Sequence, residues 1–483
     1  MTKSVQEFRG LAADSREVEP GFLFAALAGT KTDGARFIQD AVKRGAVAVL
    51  GAPEAAEAAR EAGVRFIQAR NPRLKLAELA AEFYGAQPGT IAAVTGTNGK
   101  TSVASFLRQI WASAGRKAAS LGTLGIDAPS GHSELGHTTP DPVVLHAALA
   151  RLKAEGVEHL ALEASSHGLD QFRLDGVRIA AAGFTNVTRD HMDYHPDFAH
   201  YLKAKLRLFD TLVKDGGVAV VNVDADHAGD FVAAAELRKL QLITVGCRAE
   251  GVRIAEQVPH ANGQDLTIRY QGREHRVALP LAGLFQASNA AVAAGLALGL
   301  GERAENVFAA LQSLKGAPGR LERVAYARSG APIYVDYAHT PDALITVLQA
   351  LRPHVLRRLH VVFGCGGDRD RGKRPLMGEA AARYADSVVV TDDNPRSEDA
   401  AAIRREALKA APSAREIGDR AEAIRESIVA LGPGDALVIA GKGHERSQII
   451  GSVAHPFSDR EEAVKAAVKE GGRPVAPGAM SAG

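Results

Sequence analysis

Short apolar runs alternate with helical patterns along most of the chain, and the runs usually end in glycine-rich or polar segments. In the first half, the apolar runs predict strands at residues 22–27, 46–50, 91–95, 118–121, 159–163 and 179–184. Helical patterns lie near residues 35–44 and begin at Lys100 and near Pro142. Strands that alternate with helices favour a parallel sheet with crossover helices.

The second half starts differently and then returns to the same pattern. Residues 265–281 are strand-like without helices, which predicts an antiparallel hairpin, and an alanine-rich helix is predicted over 286–298. Further strands are predicted at 333–336, 360–364, 387–391 and 436–440, each followed by a polar loop. Because open α/β sheets bind ligands at the carboxyl ends of their strands, these loops are candidate binding segments.

Two turn-rich segments, at residues 87–89 and 316–319, predict the domain boundaries. We therefore expect an α/β protein of three domains. Residues 1–88 would form a small N-terminal α/β domain, residues 89–318 a central P-loop-type domain with a mostly parallel sheet, and residues 319–470 a C-terminal Rossmann-like domain. The Gly/Pro/Ala-rich residues 471–483 are expected to be a disordered tail.

Composition narrows the class of protein. The 483 residues are 46% hydrophobic and 24% charged, with a net charge of +2, so no field for nucleic acid is implied. Two distant cysteines exclude a disulfide framework and a cysteine metal site. The N-terminus lacks the apolar core of a signal peptide, and no apolar run is long enough for a membrane span. We expect a soluble cytoplasmic protein without nucleic-acid binding or membrane insertion.

The segment after the third predicted strand carries the clearest chemistry. Gly96, Thr97, Asn98 and Gly99 form a loop, and Lys100 and Thr101 open the helix that follows. Such loops surround phosphates with backbone amides, while the lysine reaches the terminal phosphates and the hydroxyl ligates magnesium. The match is partial, because Val94 stands where the usual pattern has glycine. The segment predicts a nucleoside triphosphate site, and an ordinary strand-ending turn is the alternative.

Polar side chains at two neighbouring strand ends indicate a metal site. Glu163 ends one strand, and His191 follows the next. Carboxylate oxygens suit magnesium, whereas imidazole is a less usual ligand for it. Polar surface at the strand ends is the alternative. The lysines of the amphipathic segment 201–209, among them Lys205, are expected from the pattern alone to face solvent.

The C-terminal part offers a second set of charged loops. Thr340 and Pro341 fit a helix start, which leaves Asp336 and His339 without a packing role. Glycines and four cations follow the strand at 360–364, which favours an anion-binding loop. Arg396 could bind a carboxylate at two points, with Asp393 and Asn394 placed for an amine. A nucleotide site together with a site for a zwitterion indicates an ATP-dependent amide ligase that works through an acyl phosphate.

Four motifs, in the right order, resemble those of the Mur ligases of peptidoglycan synthesis. They are residues 95–101, 163–167, 190–195 and 336–341, and the resemblance extends over about residues 5–465. Within that family, Asp393-Asn394-Pro395-Arg396 is similar to the signature of members that add meso-2,6-diaminopimelate to UDP-N-acetylmuramoyl-L-alanyl-D-glutamate. The resemblance implies the same fold and the same chemistry for this chain.

The resemblance also implies particular roles. Catalysis would involve Lys100, Lys205, His191 and His339, and Lys205 would carry a carbamate derived from CO2. Magnesium would be held by Thr101, Glu163, His191 and the Lys205 carbamate. ATP would contact Gly96, Thr97, Asn98, Gly99, Lys100, Thr101, Asn289, Arg320 and Asp336.

For the other two substrates, the resemblance implies contacts in different parts of the chain. The UDP-sugar peptide would be held by Ser15, Thr138, Thr139, Ser165, Gln171 and Arg173. Diaminopimelate would be received by Arg369, Asp393, Asn394, Pro395, Arg396, Gly441 and Glu445, with Arg396 on the carboxylate that lysine lacks. One departure is Gln286, where many relatives have asparagine.

Three alternatives remain open at this point. A sibling ligase that adds lysine is disfavoured by Arg396, and a folylpolyglutamate synthetase is disfavoured by the N-terminal domain that contains Asp14, Ser15 and Arg16. A nucleotide-regulated switch or ATPase without ligase activity would leave the C-terminal loops unexplained. We expect the protein to be a monomer.

Overall fold

The computed structural model describes residues 5–29, 33–188 and 194–475. Internal contacts divide them into two compact units. The first comprises the described residues up to 244 together with 295–302, and the second comprises 245–294 and 303–475. No helix in these described ranges is both long and apolar enough to cross a membrane.

The first unit starts with a small sheet whose strands all run parallel, in the order β1-β2-β3-β4. Its strands are β1 Gly10–Ala12, β2 Phe22–Ala26, β3 Ala48–Gly51 and β4 Arg65–Gln68. Its helices are α1 Ile38–Lys43, α2 Ala56–Glu61 and α3 Pro72–Tyr84. Apolar side chains cover both faces of this sheet, and they form two separate core clusters.

A larger sheet in the first unit has five parallel strands in the order β11-β10-β5-β9-β6, with antiparallel β7 and β8 at its edge. The strands are β5 Thr90–Thr95, β6 Ala118–Gly122, β7 Gly125–Ala128, β8 Gly131–Ser133, β9 His159–Glu163, β10 Ile179–Phe184 and β11 Val213–Asn222. The helices are α4 Lys100–Ser113, α5 Pro142–Ala154, α6 Ser166–Asp170, α7 Phe198–Arg207 and α8 Ala228–Leu237. The central strands are buried along nearly their whole length, as expected for parallel strands covered on both faces.

Two elements run from one unit into the other, namely strand β12 Gln241–Gly246 and helix α9 Phe285–Gly299. In the second unit, β13 Val252–His260, β14 Gly263–Tyr270 and β15 Arg273–Leu279 form an antiparallel ribbon. This ribbon confirms the hairpin predicted over residues 265–281.

The remaining sheet of the second unit has the order β20-β19-β18-β21-β17-β16-β24. Its strands are β16 Glu322–Tyr326, β17 Pro332–Asp336, β18 Leu359–Cys365, β19 Ser387–Asp392, β20 Arg415–Glu416, β21 Ala436–Ala440 and β24 Arg473–Pro474, and a separate hairpin joins β22 Ser447–Ile450 to β23 Val453–Pro456. The helices are α10 Ala304–Leu311, α11 Pro341–Leu351, α12 Lys373–Tyr384, α13 Ala400–Leu408, α14 Arg420–Val429 and α15 Asp459–Lys469. Strands β17 to β21 run parallel, so their carboxyl ends share one edge.

The mixed α/β fold with mostly parallel sheets confirms the fold class expected from the sequence. The predicted helix at 35–44 is instead a 3-10 turn, Gly34–Phe37, followed by α1, because the Asp33 side chain accepts from the Ala35 amide and starts the tighter turn. The structure also differs from the expectation of disorder from Gly471 onward: Arg473–Pro474 pair with β16. Residues 476–483 lie outside the described part of the chain.

Candidate active site

The predicted phosphate loop lies between β5 and α4 and is held against the end of β10. Gly99 adopts φ +87° immediately before the helix, in the left-handed region that glycine tolerates. Gly96 has φ +154°, and a β-carbon there would lie 1.9 Å from the Thr185 hydroxyl. The Thr97 amide donates to Asn186 O at 2.8 Å, and the Asn98 amide donates to Asn186 Oδ1 at 3.1 Å. Glycine is therefore required at both positions for the loop to keep this shape.

Two lysines converge on one carbonyl of this loop. Lys100 Nζ donates to Gly96 O at 2.8 Å and to Thr97 O at 2.9 Å. Lys205 Nζ, from α7, also donates to Gly96 O at 2.8 Å and lies 4.4 Å from the centre of the Tyr201 ring. Lys205 is fully buried, so the expectation from the amphipathic pattern that it faces solvent was wrong. Its contact with Gly96 O brings it to the loop near which the resemblance implies it.

Glu163 lies at the end of β9, between the phosphate loop and β6. Its Oε2 accepts from the Thr101 hydroxyl at 3.0 Å, and its Oε1 accepts from the Thr123 amide at 2.9 Å. The carboxylate is buried, and it packs so tightly on Gly122 that a β-carbon there would lie 2.0 Å from Oε1. Thr101 and Glu163, which the sequence placed 62 residues apart, are thus in direct contact.

These oxygen atoms fit a magnesium ion in chemistry and charge, because Mg²⁺ prefers one or two carboxylates together with hydroxyl and phosphate oxygens. His191, the other expected ligand, lies outside the described residues. Within residues 5–29, 33–188 and 194–475 no group of three or more His, Cys, Asp and Glu side chains has the arrangement of a metal site. Of the expected magnesium ligands, the structure therefore describes Thr101 and Glu163, which are in contact, and Lys205, whose amine donates to Gly96 O.

Four of the residues expected to bind the sugar and peptide form one hydrogen-bonded group beyond β9, namely Thr139, Ser165, Gln171 and Arg173. Thr139 Oγ1 donates to Glu163 O at 2.9 Å and accepts from Ser165 Oγ at 3.0 Å. Arg173 donates to Thr139 O at 2.6 Å and to Gln171 Oε1 at 2.8 Å. Burial lowers the pKa of Arg173 below its usual range. This group is connected to Glu163 through the same strand end.

Two further expected contacts sit at different places in the first unit. Thr138 Oγ1 lies 2.9 Å from Thr123 Oγ1, which places it beside the Glu163 carboxylate. Ser15 is buried in a 3-10 turn after β1, where Asp14 caps the turn by accepting from the Arg16 amide at 2.9 Å. Arg73 donates to Gln171 Oε1 at 3.4 Å and to Ala28 O at 2.6 Å, and so connects the small sheet to the group around Thr139. The sequence alone did not indicate this connection through Arg73.

In the second unit, the residues expected to contact ATP fall into two places. Asn289 donates to Gln286 Oε1 at 2.9 Å, and both side chains are buried on α9. Asp336, at the end of β17, accepts from the Leu321 and Ala338 amides at 2.6 and 2.8 Å, and burial raises its pKa. The guanidinium carbon of Arg320 lies 4.9 Å from the centre of the Tyr337 ring.

His339 is held close to the same ring. Its Nδ1 lies 2.8 Å from Tyr337 O, the two rings are 4.6 Å apart, and its own carbonyl accepts from Lys373 Nζ at 2.9 Å. His444 also lies close to Tyr337, with ring centres 5.2 Å apart. Burial lowers the pKa of His444 to about 4, so this imidazole is neutral at physiological pH.

The expected diaminopimelate residues, apart from the exposed Arg369, form a connected network at the carboxyl edge of the sheet. Arg396 has φ +51°, and its side chain donates to Gly367 O at 2.8 Å. Its backbone amide donates to Ile449 O at 3.1 Å in a β-bridge with Ile450. Asn394 donates to Glu445 Oε2 at 3.2 Å and accepts from the Ile449 amide at 2.9 Å. The hairpin β22–β23 thus fixes the backbone on which Arg396 sits.

Two buried cations in this network were not assigned a role from the sequence. Lys442 is fully buried and donates to Asn394 Oδ1 at 2.9 Å. Arg420 and Asp459 form a fully buried ion pair, in which Arg420 also donates to Ala440 O at 3.0 Å. Lys442 bonds Asn394 across 48 positions and Arg420 bonds Asp459 across 39, so no local motif could have identified these contacts.

Comparison with known proteins places this geometry in a family. The models described as "Mur ligase family, catalytic domain", "Mur ligase middle domain" and "Mur ligase, glutamate ligase domain" match residues 7–84, 94–297 and 319–443. A curated protein from Bradyrhizobium diazoefficiens, named UDP-N-acetylmuramoyl-L-alanyl-D-glutamate--2,6-diaminopimelate ligase, is 58% identical over 468 residues, which cover 96% of this chain and 95% of that protein.

Two further relatives agree. A protein of the same name from Agrobacterium fabrum is 54% identical over 464 residues, covering 96% of this chain and 94% of its own length. A solved structure bearing that enzyme name is 36% identical, has a TM-score of 0.73, and covers 97% of this chain and 99% of its own. At these identities and coverages, the chain belongs to the Mur ligase family.

Proposed function

We propose that this protein is the ATP-dependent ligase that joins meso-2,6-diaminopimelate to UDP-N-acetylmuramoyl-L-alanyl-D-glutamate. The observation that carries the proposal is the network at the carboxyl edge of the sheet, in which Asp393, Asn394 and Glu445 surround the buried Lys442. Relatives that bear this enzyme name are more than half identical over nearly the whole chain. ATP supplies the phosphoryl group, and the protein's contribution is positioning and charge stabilisation.

The first chemical step is assigned to the first unit. The γ-phosphoryl group of ATP passes to the γ-carboxylate of the D-glutamyl residue, which forms an acyl phosphate and releases ADP. Lys100, now hydrogen bonded to Gly96 O and Thr97 O, is long enough to turn toward the terminal phosphates instead. The start of α4 adds positive potential at the phosphates.

Thr101, Glu163, His191 and a carbamate on Lys205 would hold Mg²⁺, which neutralises phosphate charge during the transfer. The carbamate is supported by the burial of Lys205 and by its contact with the same carbonyl that Lys100 binds. Two like charges directed at one oxygen repel each other, and a carbamate converts one of them to an anion. Lys205 would then orient a ligand rather than compete with Lys100.

The second step joins the amino acid and therefore requires that the protein recognise it. The amine of diaminopimelate attacks the acyl phosphate, and the tetrahedral intermediate collapses with loss of phosphate. Arg396 is proposed to bind the carboxylate that lysine lacks, because a guanidinium forms two parallel hydrogen bonds with a carboxylate. Asn394 and Glu445 would receive the ammonium group at the same end. His339 is proposed to assist deprotonation of the attacking amine.

The remaining assignments follow the same reasoning. Ser15 is proposed to contact the uridine end, and the group around Thr139 the sugar and peptide. Asn289, Arg320 and Asp336 are proposed to contact the nucleotide. We also propose the division into segments 1–88, 89–318 and 319–470, and a monomer in the cytoplasm.

The experiment is phosphate release from ATP with UDP-N-acetylmuramoyl-L-alanyl-D-glutamate, in magnesium and bicarbonate, with the amino acid as the only variable. Release with meso-diaminopimelate and not with L-lysine is the expected result. Release with lysine would keep the ligase and overturn the specificity. Release without any amino acid would overturn the ligase in favour of an ATPase.

A further inference from the structure

Lys442 is the first side chain after Gly441 at the end of β21, and it is fully buried. Its Nζ donates to Asn394 Oδ1 at 2.9 Å and to Glu445 Oε2 at 3.1 Å, and lies 3.4 Å from Asp393 Oδ1. An ammonium group has three N–H donors, and three acceptors surround this one. Its hydrogen-bonding capacity is therefore satisfied by the protein itself.

We propose that Lys442 is a positioning residue that sets the shape of the acceptor amino-acid pocket by joining the loop at 393–396 to the loop at 441–445. This inference rests on the proposed function, which assigns Asn394 and Glu445 to diaminopimelate. Lys442 acts through those two side chains and does not itself touch the substrate.

The sheet topology shows why such a connection is needed. The two loops follow β19 and β21, which are separated by β18 in the sheet. Ladder hydrogen bonds join each of these strands to β18, so they do not join the ends of β19 and β21 directly. The Lys442 side chain spans this separation and holds side chains from both loops on one nitrogen.

The local charges point in the same direction. Asp393 is 8% exposed, and Glu445 shares the same ammonium group. Without Lys442, the buried Asp393 carboxylate and the partly exposed Glu445 carboxylate would lose the cation that they share and would repel each other. Asn394 Oδ1 would also lose one of its two donors and keep only the Ile449 amide, while its Nδ2 is directed at Glu445. We therefore expect the two proposed ligand-binding side chains to move apart when Lys442 is replaced.

Arg420 has a different task in the same region. Its guanidinium donates to Ala440 O at 3.0 Å and to Asp392 O at 3.3 Å, and it is paired with Asp459. It therefore holds the backbone at the two strand ends, whereas Lys442 holds the side chains beyond them. Loss of Lys442 should leave the strand ends in place and change only the pocket.

The test compares Lys442→Met and Lys442→Gln with the wild-type enzyme, measuring KM for diaminopimelate, KM for ATP and kcat. Methionine keeps the length without donors, and glutamine keeps one donor group. We expect KM for diaminopimelate to rise about tenfold or more in Lys442→Met, since a charge-assisted network is lost, with a smaller rise in Lys442→Gln. KM for ATP should stay within about twofold of the wild-type value, because the proposed contacts with ATP do not involve Lys442.

A matched control is His360→Gln, which perturbs the buried His360–Asp435 pair at the other end of β18. We expect both this variant and the Lys442 variants to have a lower melting temperature, but His360→Gln should leave KM for diaminopimelate unchanged. Folded Lys442 variants with wild-type KM, or a failure of both to fold, would assign Lys442 to stability alone and overturn the proposal. A wild-type enzyme that ignores diaminopimelate would instead contradict the proposed function.

Discussion

A β-carbon on residue 122 would lie 2.0 Å from Oε1 of Glu163, so the carboxylate occupies the space that a side chain on residue 122 would need. The φ of Gly122 is not in the left-handed region, and the requirement for glycine is therefore one of size. The same carboxylate accepts from Thr101 and Thr123. Any group added at Gly122 must displace the one described carboxylate of the proposed magnesium site.

We expect Gly122→Ala to move Glu163 away from Thr101 and to reduce phosphate release at least about tenfold, since a shift of 1 Å in a catalytic group is enough for a large loss. Overpacking should also cost about 1–3 kcal/mol of stability. The check is activity as a function of magnesium concentration, together with a thermal melt. Gly136→Ala is the control, because a β-carbon there meets open space. Wild-type activity in Gly122→Ala would contradict the role given to Glu163.

Lys205 and Lys203 lie on the same helix, and only Lys205 is buried. We expect Lys205→Met to lose nearly all turnover, because the proposed carbamate cannot form, while Lys203→Met retains it. The modification itself can be detected as a carbonyl resonance in the NMR spectrum of protein incubated with ¹³C-bicarbonate. That resonance should be absent in Lys205→Met and present in Lys203→Met. Full activity of Lys205→Met would remove Lys205 from the proposed magnesium site.

Arg396 is partly exposed and held in the left-handed region by its backbone bonds to Ile449 and Gly451. We expect Arg396→Ala to raise KM for diaminopimelate and to reduce discrimination against lysine, since leaving a charged pair unmatched costs about 2–5 kcal/mol. Both amino acids are compared in the same phosphate-release assay. Arg405→Ala, which removes an exposed arginine of α13, should change neither value. An unchanged KM in Arg396→Ala would exclude the carboxylate contact.

The sequence predicted the structure best at strands that are followed by polar or charged loops. The strands at 159–163, 179–184 and 436–440 have the observed bounds, and their apolar runs stop where the loops begin. Parallel topology then places their carboxyl ends at one edge, so the contact of Thr101 with Glu163 is a consequence of the pattern. Thr340 and Pro341 start α11 as predicted.

The remaining features depend on partners that no local pattern reveals. Lys442 meets Asp393 across 49 positions, and Arg420 meets Asp459 across 39. Gly122 looks like the end of an ordinary strand until the Glu163 side chain is placed beside it. Lys205 is buried although the amphipathic pattern of its helix predicts an exposed side chain. Its amine donates a hydrogen bond to Gly96 O, a partner that the pattern of the helix does not reveal.

His444 provides a test that does not depend on activity. Burial lowers its pKa to about 4, and the nearby Arg320 acts in the same direction. In the unfolded chain a histidine has a pKa of about 6.5. Between these two values the unfolded state binds more protons than the folded state, so stability falls as the pH falls.

We therefore expect His444→Gln to weaken the acid sensitivity of folding. Between pH 7 and pH 5 the wild-type protein should lose on the order of 1–2 kcal/mol more unfolding free energy than the variant, because only the wild type must keep a neutral imidazole in a buried place. Urea unfolding at the two pH values measures this difference. His455→Gln, which replaces an exposed histidine of β23, should behave like the wild type. Equal pH dependence in all three proteins would mean that His444 titrates in the folded protein as it does in water.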